Sequence, residues 1–315
     1  MKLATYFIMR YASKSTLYGM SGLAGAMVAV RSLPDLWTAF ISFTATWLGG
    51  WATLLLNDYF DRKVDVYIRP WRPIPAGRMS ANQVLVIAFI VIATGFMLTL
   101  SLYNIICLLI AVIVALSVLV YNISKGKRYM THMVLTLSTA LSFVYGYAAA
   151  AHGINLESFP IVFIMGLLLY TDAISTALFA SIPDIVGDKR GGAVTASVKL
   201  GSVKVAKITL TLSTINLIPG LLLFTIGYLN IGYLLAFIAT RIMLIGVQTF
   251  FIRNPGERLA NFVVSTYTFN RMGVFLAFPI GVLPNDIGIM LASLLCLFIL
   301  SAPIRHYESV FNIEY

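Results

Sequence analysis

The chain has 315 residues, of which 59% are hydrophobic and only 11% charged, against roughly 25% charged residues in a soluble domain. Polar groups this scarce cannot cover a folded surface in water, so most of the chain has lipid as its solvent. A soluble enzyme, a disordered protein, a disulfide scaffold and a nucleic-acid reader are therefore excluded for the molecule as a whole, and the formal net charge of +10 is read as an inside-positive bias.

Ten apolar stretches approach the 20 or so residues a spanning helix needs: 15–31, 36–57, 81–100, 103–121, 130–151, 159–182, 204–227, 230–252, 258–281 and 285–303. Lys2, Arg10 and Lys14 precede the first. Because further spans follow, it is read as an uncleaved helix and not a signal peptide. Asp172 interrupts the sixth stretch and Arg271 the ninth. Cys107 and Cys296 sit in apolar runs and read as small packed residues without redox meaning.

With the N-terminus in the cytoplasm, nineteen of the 22 Lys and Arg residues fall on the cytoplasmic side and only Arg31 on the other, while Arg241 and Arg271 lie inside spans. That asymmetry fixes the expected orientation, and an even span count puts the basic tail at Arg305 inside as well. The cytoplasmic loops at about 57–80 and 182–203 carry most of the polar chemistry. No linker splits off a soluble part, so one transmembrane domain over 1–315 is expected.

Five of the 12 acidic residues fall in two short clusters. In the first, Asn57, Asp61 and Asp65 are spaced i, i+4, i+8, which places them on one face if the second helix runs on into the loop. The second, Asp184 and Asp188, repeats the i, i+4 spacing where the sixth helix leaves the membrane. Like charges at this spacing repel. A divalent cation removes the conflict, and Mg²⁺ prefers one or two carboxylates plus phosphate oxygens and water. A diphosphate also needs fixed cations. The segment Arg69-Pro70-Trp71-Arg72-Pro73-Ile74-Pro75-Ala76-Gly77-Arg78 supplies them on a stiff, turn-rich loop. Tyr121 and Lys125 follow at i, i+4 at the end of the fourth helix. Asp172 lies about 18 Å deeper than Asp184 along a helix. It reads as an ion pair with Arg241 or Arg271, or as a group that holds or deprotonates an acceptor. His132 and His152 read as interfacial.

The motifs Asn57-Asp58-x-x-Asp61-x-x-x-Asp65, Arg69-Pro70-x-Arg72-Pro73-Ile74-Pro75-Ala76-Gly77, Tyr121-x-x-x-Lys125 and Asp184-x-x-x-Asp188 resemble, in order, spacing and placement, those of the UbiA-type intramembrane prenyltransferases. The resemblance covers nearly the whole chain. It implies an all-α, polytopic bundle of nine core spans, here with a tenth at 285–303, around a cavity open sideways to lipid. It implies Mg²⁺-dependent transfer from a prenyl diphosphate, with no nucleic-acid partner. Asn57, Asp61, Asp65, Asp184 and Asp188 would then be metal and diphosphate ligands. Tyr121, Lys125, Arg72 and, more loosely, Lys14 would contact the diphosphate. Asp61, Asp188, Lys125 and Tyr121 would carry the catalysis. The acceptor implied is an aromatic ring, a chlorophyllide-type carboxylate or a glycerol hydroxyl.

Three positions depart from the family pattern. Val186 stands where several members carry a third acid, Ser181 replaces an upstream Asp or Asn, and the tenth apolar segment is extra. The altered second motif keeps open a membrane terpene cyclase that uses the same diphosphate site. A secondary transporter with Asp172, Arg241 and Arg271 along its path is the remaining reading, disfavoured because the polar clusters lie at one boundary and not at the midplane.

Overall fold

The computed structural model describes Tyr11 and residues 13–124, 131–190 and 192–311, and all regular structure among them is helical. Two compact units form: one of residues 1–155 together with Gly187–Ala193, the other of Leu156–Val186 together with 194–315.

The first unit holds α1 (Ser13–Val30), α2 (Leu36–Ile68), α3 (Ala81–Leu100), α4 (Ile105–Ser124) and α5 (His132–Ala150). Side-chain caps start several of them. Asp35 accepts from the backbone N–H of Trp37 and Thr38 at 3.1 and 3.0 Å, which satisfies otherwise orphaned donors of α2. The hydrogen bonding to Thr38 also holds its carboxyl below the usual carboxylate range. Ser80 and Gln83 form a reciprocal capping box at α3. Asn104 caps α4 and donates to the carbonyl of Ala148 at 2.8 Å, tying that turn to α5.

Helix α1 packs on α2 and α5, α2 on α3, and α4 on α5. The α1–α5 contact is backbone against backbone. A Cβ on Gly146 would stand 1.7 Å from the carbonyl oxygen of Gly22, and one on Gly25 2.0 Å from that of Phe143. Lipid gives no hydrophobic drive between helices, so small residues that permit close approach do this packing. Outward, α3 and α4 present Phe89, Ile90, Leu116 and Val120, each more than half exposed, as a lipid-facing surface does.

The second unit begins with α6 (Phe159–Ala180), after which turns at 181–184 lead to the short α7 (Ile185–Arg190), whose residues from Gly187 on are counted with the first unit. It continues with α8 (Ala196–Leu200), α9 (Ser202–Ile215), α10 (Leu217–Thr225), α11 (Ile231–Arg253), α12 (Glu257–Val282) and α13 (Asn285–Phe311). The expected span at 204–227 is broken into α9 and α10 beside Pro219, whose missing N–H removes a helix hydrogen bond. Asn216 at the break donates to the Leu168 carbonyl at 3.1 Å and accepts from Thr171 at 2.6 Å. Asn230 caps α11 and donates to the carbonyls of Ile280 and Leu283 near the end of α12.

Among the described residues helix covers most of each expected stretch, the one at 204–227 as two helices. Among the described residues, seven helices are long and apolar enough to cross a membrane. Helix α12 carries Glu257, Arg258 and Arg271, and α13 carries an apolar stretch over Asn285–Ser301.

Candidate functional site

Helix α2 does run on into the loop. It continues to Ile68, and its last three turns carry Asn57, Asp58, Asp61 and Asp65. The following loop then turns back on itself. The backbone N–H of Arg72 donates to Arg69, that of Ala76 to Arg72, and those of Gly77 and Arg78 to Ile74 and Pro73. Gly77 takes φ +67° there, a left-handed conformation that glycine adopts without strain.

This chain of turns delivers the Arg72 guanidinium to α2. Its Nη1 lies 3.2 Å from Asp58 Oδ1 and 3.8 Å from Asp61 Oδ2, and it donates a short hydrogen bond to Asp65 Oδ2. Asp58, Asp65 and Arg72 are all buried, while the Asp61 side chain retains 15% exposure. Tyr11 donates its hydroxyl hydrogen to Asp58 Oδ2 at 2.6 Å. Sequence spacing placed Asn57, Asp61 and Asp65 together but gave Asp58 no role. In the fold Asp58 is the most enclosed acid of the group, held by Tyr11 and Arg72. The sign that marked it was its place inside the acidic motif beside a loop arginine.

Three carboxylates thus converge on one cationic nitrogen. A single guanidinium balances at most one of their charges, and the donor atoms are the hard oxygens that Mg²⁺ takes. Among the described residues, no group of three His, Cys, Asp or Glu side chains stands as a complete metal cage. An ion that uses one or two carboxylates and completes its shell with phosphate and water does not need such a cage. The residues at the end of α2 therefore fit such a cation.

Tyr121 is 4% exposed on α4, its ring 5.7 Å from that of His132. Lys125, its expected neighbour, lies outside the described residues. Lys14 is exposed on the first turn of α1. Asp188 sits in α7 within the segment that belongs to the first unit, the unit of the α2 acids, whereas Asp184 belongs to the second unit. Val186 is 60% exposed. Ser181 serves the packing instead. It is buried, and its carbonyl accepts from the Ser197 hydroxyl at 2.6 Å, anchoring α8 to the end of α6.

Asp172 finds Arg241 and not Arg271. Arg241 Nη1 donates to Asp172 Oδ1 at 2.7 Å, and Asn270 donates to both carboxylate oxygens at 3.2 and 3.3 Å. Arg241 also faces the Phe237 ring at 5.1 Å. This pair is enclosed within the second unit, with Arg241 1% and Asp172 3% exposed.

The first unit also contains a cavity of about 420 Å³. It is lined by apolar and small side chains of α2 to α5 and by Tyr18 of α1, and it runs beside α2 from Ala45 to Phe60, next to the acidic turns.

An all-helical chain with apolar, lipid-facing surfaces is a polytopic membrane protein, and this one carries a carboxylate-and-arginine cluster and an apolar cavity in its first unit. The model of the UbiA prenyltransferase family matches residues 19–270, and the chain belongs to that family; it is a prenyltransferase. The digeranylgeranylglyceryl phosphate synthase of Thermococcus kodakarensis is 29% identical over 219 residues, 69% of this chain and 76% of that protein. The Thermococcus sibiricus protein of the same name is 28% identical over 254 residues, 77% and 84% of the two chains. Among solved structures, one of digeranylgeranylglyceryl phosphate synthase has TM-score 0.69 at 24% identity, covering 89% of this chain and 98% of that one. A UbiA homologue from Archaeoglobus fulgidus bound to DMAPP and Mg²⁺ has TM-score 0.62 at 14% identity, covering 87% and 98%. These likenesses confirm the all-α fold.

Proposed function

We propose that this prenyltransferase moves a prenyl group from a prenyl diphosphate to a hydroxyl of a glycerol-based lipid, in a Mg²⁺-dependent reaction. The observation that carries the reading is the convergence of Asp58, Asp61 and Asp65 at the end of α2. The names of the curated relatives support the glyceryl acceptor over an aromatic ring or a chlorophyllide carboxylate.

Asn57, Asp61, Asp65 and Asp188, all of the first unit, would hold the metal. Bound there, Mg²⁺ supplies the positive charge that stabilises the departing diphosphate. Tyr121 and Lys125 bind the same diphosphate oxygens and hold them in line, with Lys14 as a further contact. Arg72 fixes the carboxylates and reaches toward the phosphate from its loop. The allylic C–O bond breaks and diphosphate leaves with its electron pair, the acceptor oxygen forms the new C–O bond, and the acceptor hydroxyl's proton passes to the released diphosphate. Apolar walls keep water from the allylic carbon, which suppresses hydrolysis.

The whole chain acts as one prenyltransferase domain of ten spans, with the N-terminus, both motif loops and the C-terminus in the cytoplasm. The basic-residue asymmetry supports that orientation.

The test is incubation of the purified full chain in lipid vesicles with labelled prenyl diphosphate, Mg²⁺ and candidate acceptors, with products identified by mass spectrometry. An ether-linked glyceryl product is expected. A cyclic hydrocarbon formed without any acceptor would instead assign a terpene cyclase.

A further inference from the structure

Gly49 lies in the middle of α2, where a glycine costs a helix up to about 1 kcal/mol relative to alanine. Its neighbour Gly50 has a packing reason: a Cβ there would stand 2.7 Å from Ser15 Cβ and from Tyr18 Cδ2. Gly49 has none of that kind, because a Cβ on it would meet nothing within 4 Å. The empty space it faces is the 420 Å³ cavity of the first unit.

The cavity has a direction. Along α2 its lining residues recur as Ala45, Gly49, Thr53, Leu56 and Phe60, a single stripe at helical spacing. The stripe ends against the turn that carries Asn57 and Asp61. Toward the other end the lining includes Thr99 and Tyr145, both buried, whose Oγ1 and Oη are hydrogen-bonded at 3.0 Å. At 1.5 Å per residue, Gly49 lies about 12 Å from Asn57 and about 18 Å from Asp61 along the helix axis. An extended isoprene unit has four chain bonds against the three of an amino-acid residue, so it reaches roughly 4.5–5 Å. A two-unit tail whose diphosphate is held at Asn57 and Asp61 ends before Gly49. Measured from Asn57 the third unit passes beside it, and measured from Asp61 the fourth does.

We infer that this cavity holds the tail of the prenyl diphosphate and that the missing side chain at Gly49 sets the length of tail accepted, admitting three to four isoprene units. The inference rests on the prenyl-diphosphate reading above. It makes Gly49 a specificity-determining position of the reaction: the absence of a side chain there is room for the donor, whereas at Gly50 it is room for α1.

The test compares kcat/KM for C10, C15 and C20 prenyl diphosphates in the native chain and in Gly49→Ala and Gly49→Leu. The Leu side chain fills the cavity beside the third unit, so the C10-to-C20 ratio of kcat/KM should rise at least tenfold. The Ala variant, which keeps the helix intact, should shift the ratio in the same direction by less. A native chain that consumes these donors, with a ratio within twofold of native in Gly49→Leu, would overturn the tail assignment and leave prenyl transfer standing. A native chain that consumes none of them would overturn the underlying reading, and the tail assignment with it.

Discussion

Arg72 Nη1 stands 3.2 Å from Asp58 Oδ1, with the two side chains only 5% and 2% exposed. An arginine from a turn-rich loop is thereby enclosed against the acidic end of a spanning helix. Breaking a buried ion pair by removing one partner costs about 3–5 kcal/mol, since it strands the other charge. Arg72→Ala leaves Asp58 and Asp65 both without this guanidinium. The expected result is a lower unfolding temperature in detergent and loss of turnover together. Arg72→Lys should restore part of the stability, since the positive charge is kept, and little of the activity, because an ammonium is a more strongly hydrated point charge on a differently shaped stem.

Asp58 and Asp61 separate by role. Asp58 is enclosed and hydrogen-bonded to Tyr11, so Asp58→Ala should lower thermal stability. A hydrogen bond to a charged group contributes about 1.5–3 kcal/mol, and Tyr11→Phe should show a loss of that order. Asp61 is the more exposed of the two. Asp61→Ala should abolish turnover while the melting temperature stays within a degree or two of native. Equal losses of stability in the two Asp variants would contradict this division.

If the acid end of α2 holds Mg²⁺ as proposed, chelation should stop turnover without unfolding the bundle. Adding EDTA to protein in vesicles should reduce product to background with helical circular dichroism unchanged, and Mg²⁺ should restore it. Turnover that persists at full rate under chelation would remove the metal role of Asp61 and Asp65.

The Asp172–Arg241 pair belongs to the packing of the second unit. Arg241 Nε and Nη2 and Asn270 Oδ1 have no hydrogen-bond partner among the described residues, which marks a site where removing either charge is costly. Asp172→Ala and Arg241→Ala should each lower stability strongly. The double variant should be no worse than either single one, because neither charge is then stranded. A double-mutant cycle on the melting temperature, with product identity unchanged, checks it.

The long helices were legible as apolar stretches because each spanning helix must satisfy its own backbone in lipid. The exact seams were not. The α9–α10 break depends on Pro219 and on what Asn216 finds in α6, which composition does not encode. The acids at Asn57–Asp65 were visible because i, i+4 spacing survives as a helix face. Asp58 was not, since its meaning comes from Tyr11 and from a loop that folds back. Arg241 could be named with Arg271 as a partner for Asp172, but the choice between them is made by packing of α6, α11 and α12. Gly49 and Gly50 look alike in the sequence and differ only in what their missing side chains would touch.

The same contrast holds across the bundle and gives a test of the α1–α5 seam. At Gly146 an added methyl would lie 1.7 Å from the Gly22 carbonyl oxygen, whereas at Gly246 on α11 it would meet nothing within 4 Å. A backbone carbonyl cannot swing aside as a side-chain tip can, so Gly146→Ala must push α1 and α5 apart and lose close packing along both. Gly246→Ala gains helix propensity of up to about 1 kcal/mol at no steric cost. Thermal unfolding in one detergent should therefore show a clear drop for Gly146→Ala and an unchanged or raised midpoint for Gly246→Ala. Equal midpoints for the two variants would mean that α1 and α5 do not meet through these glycines.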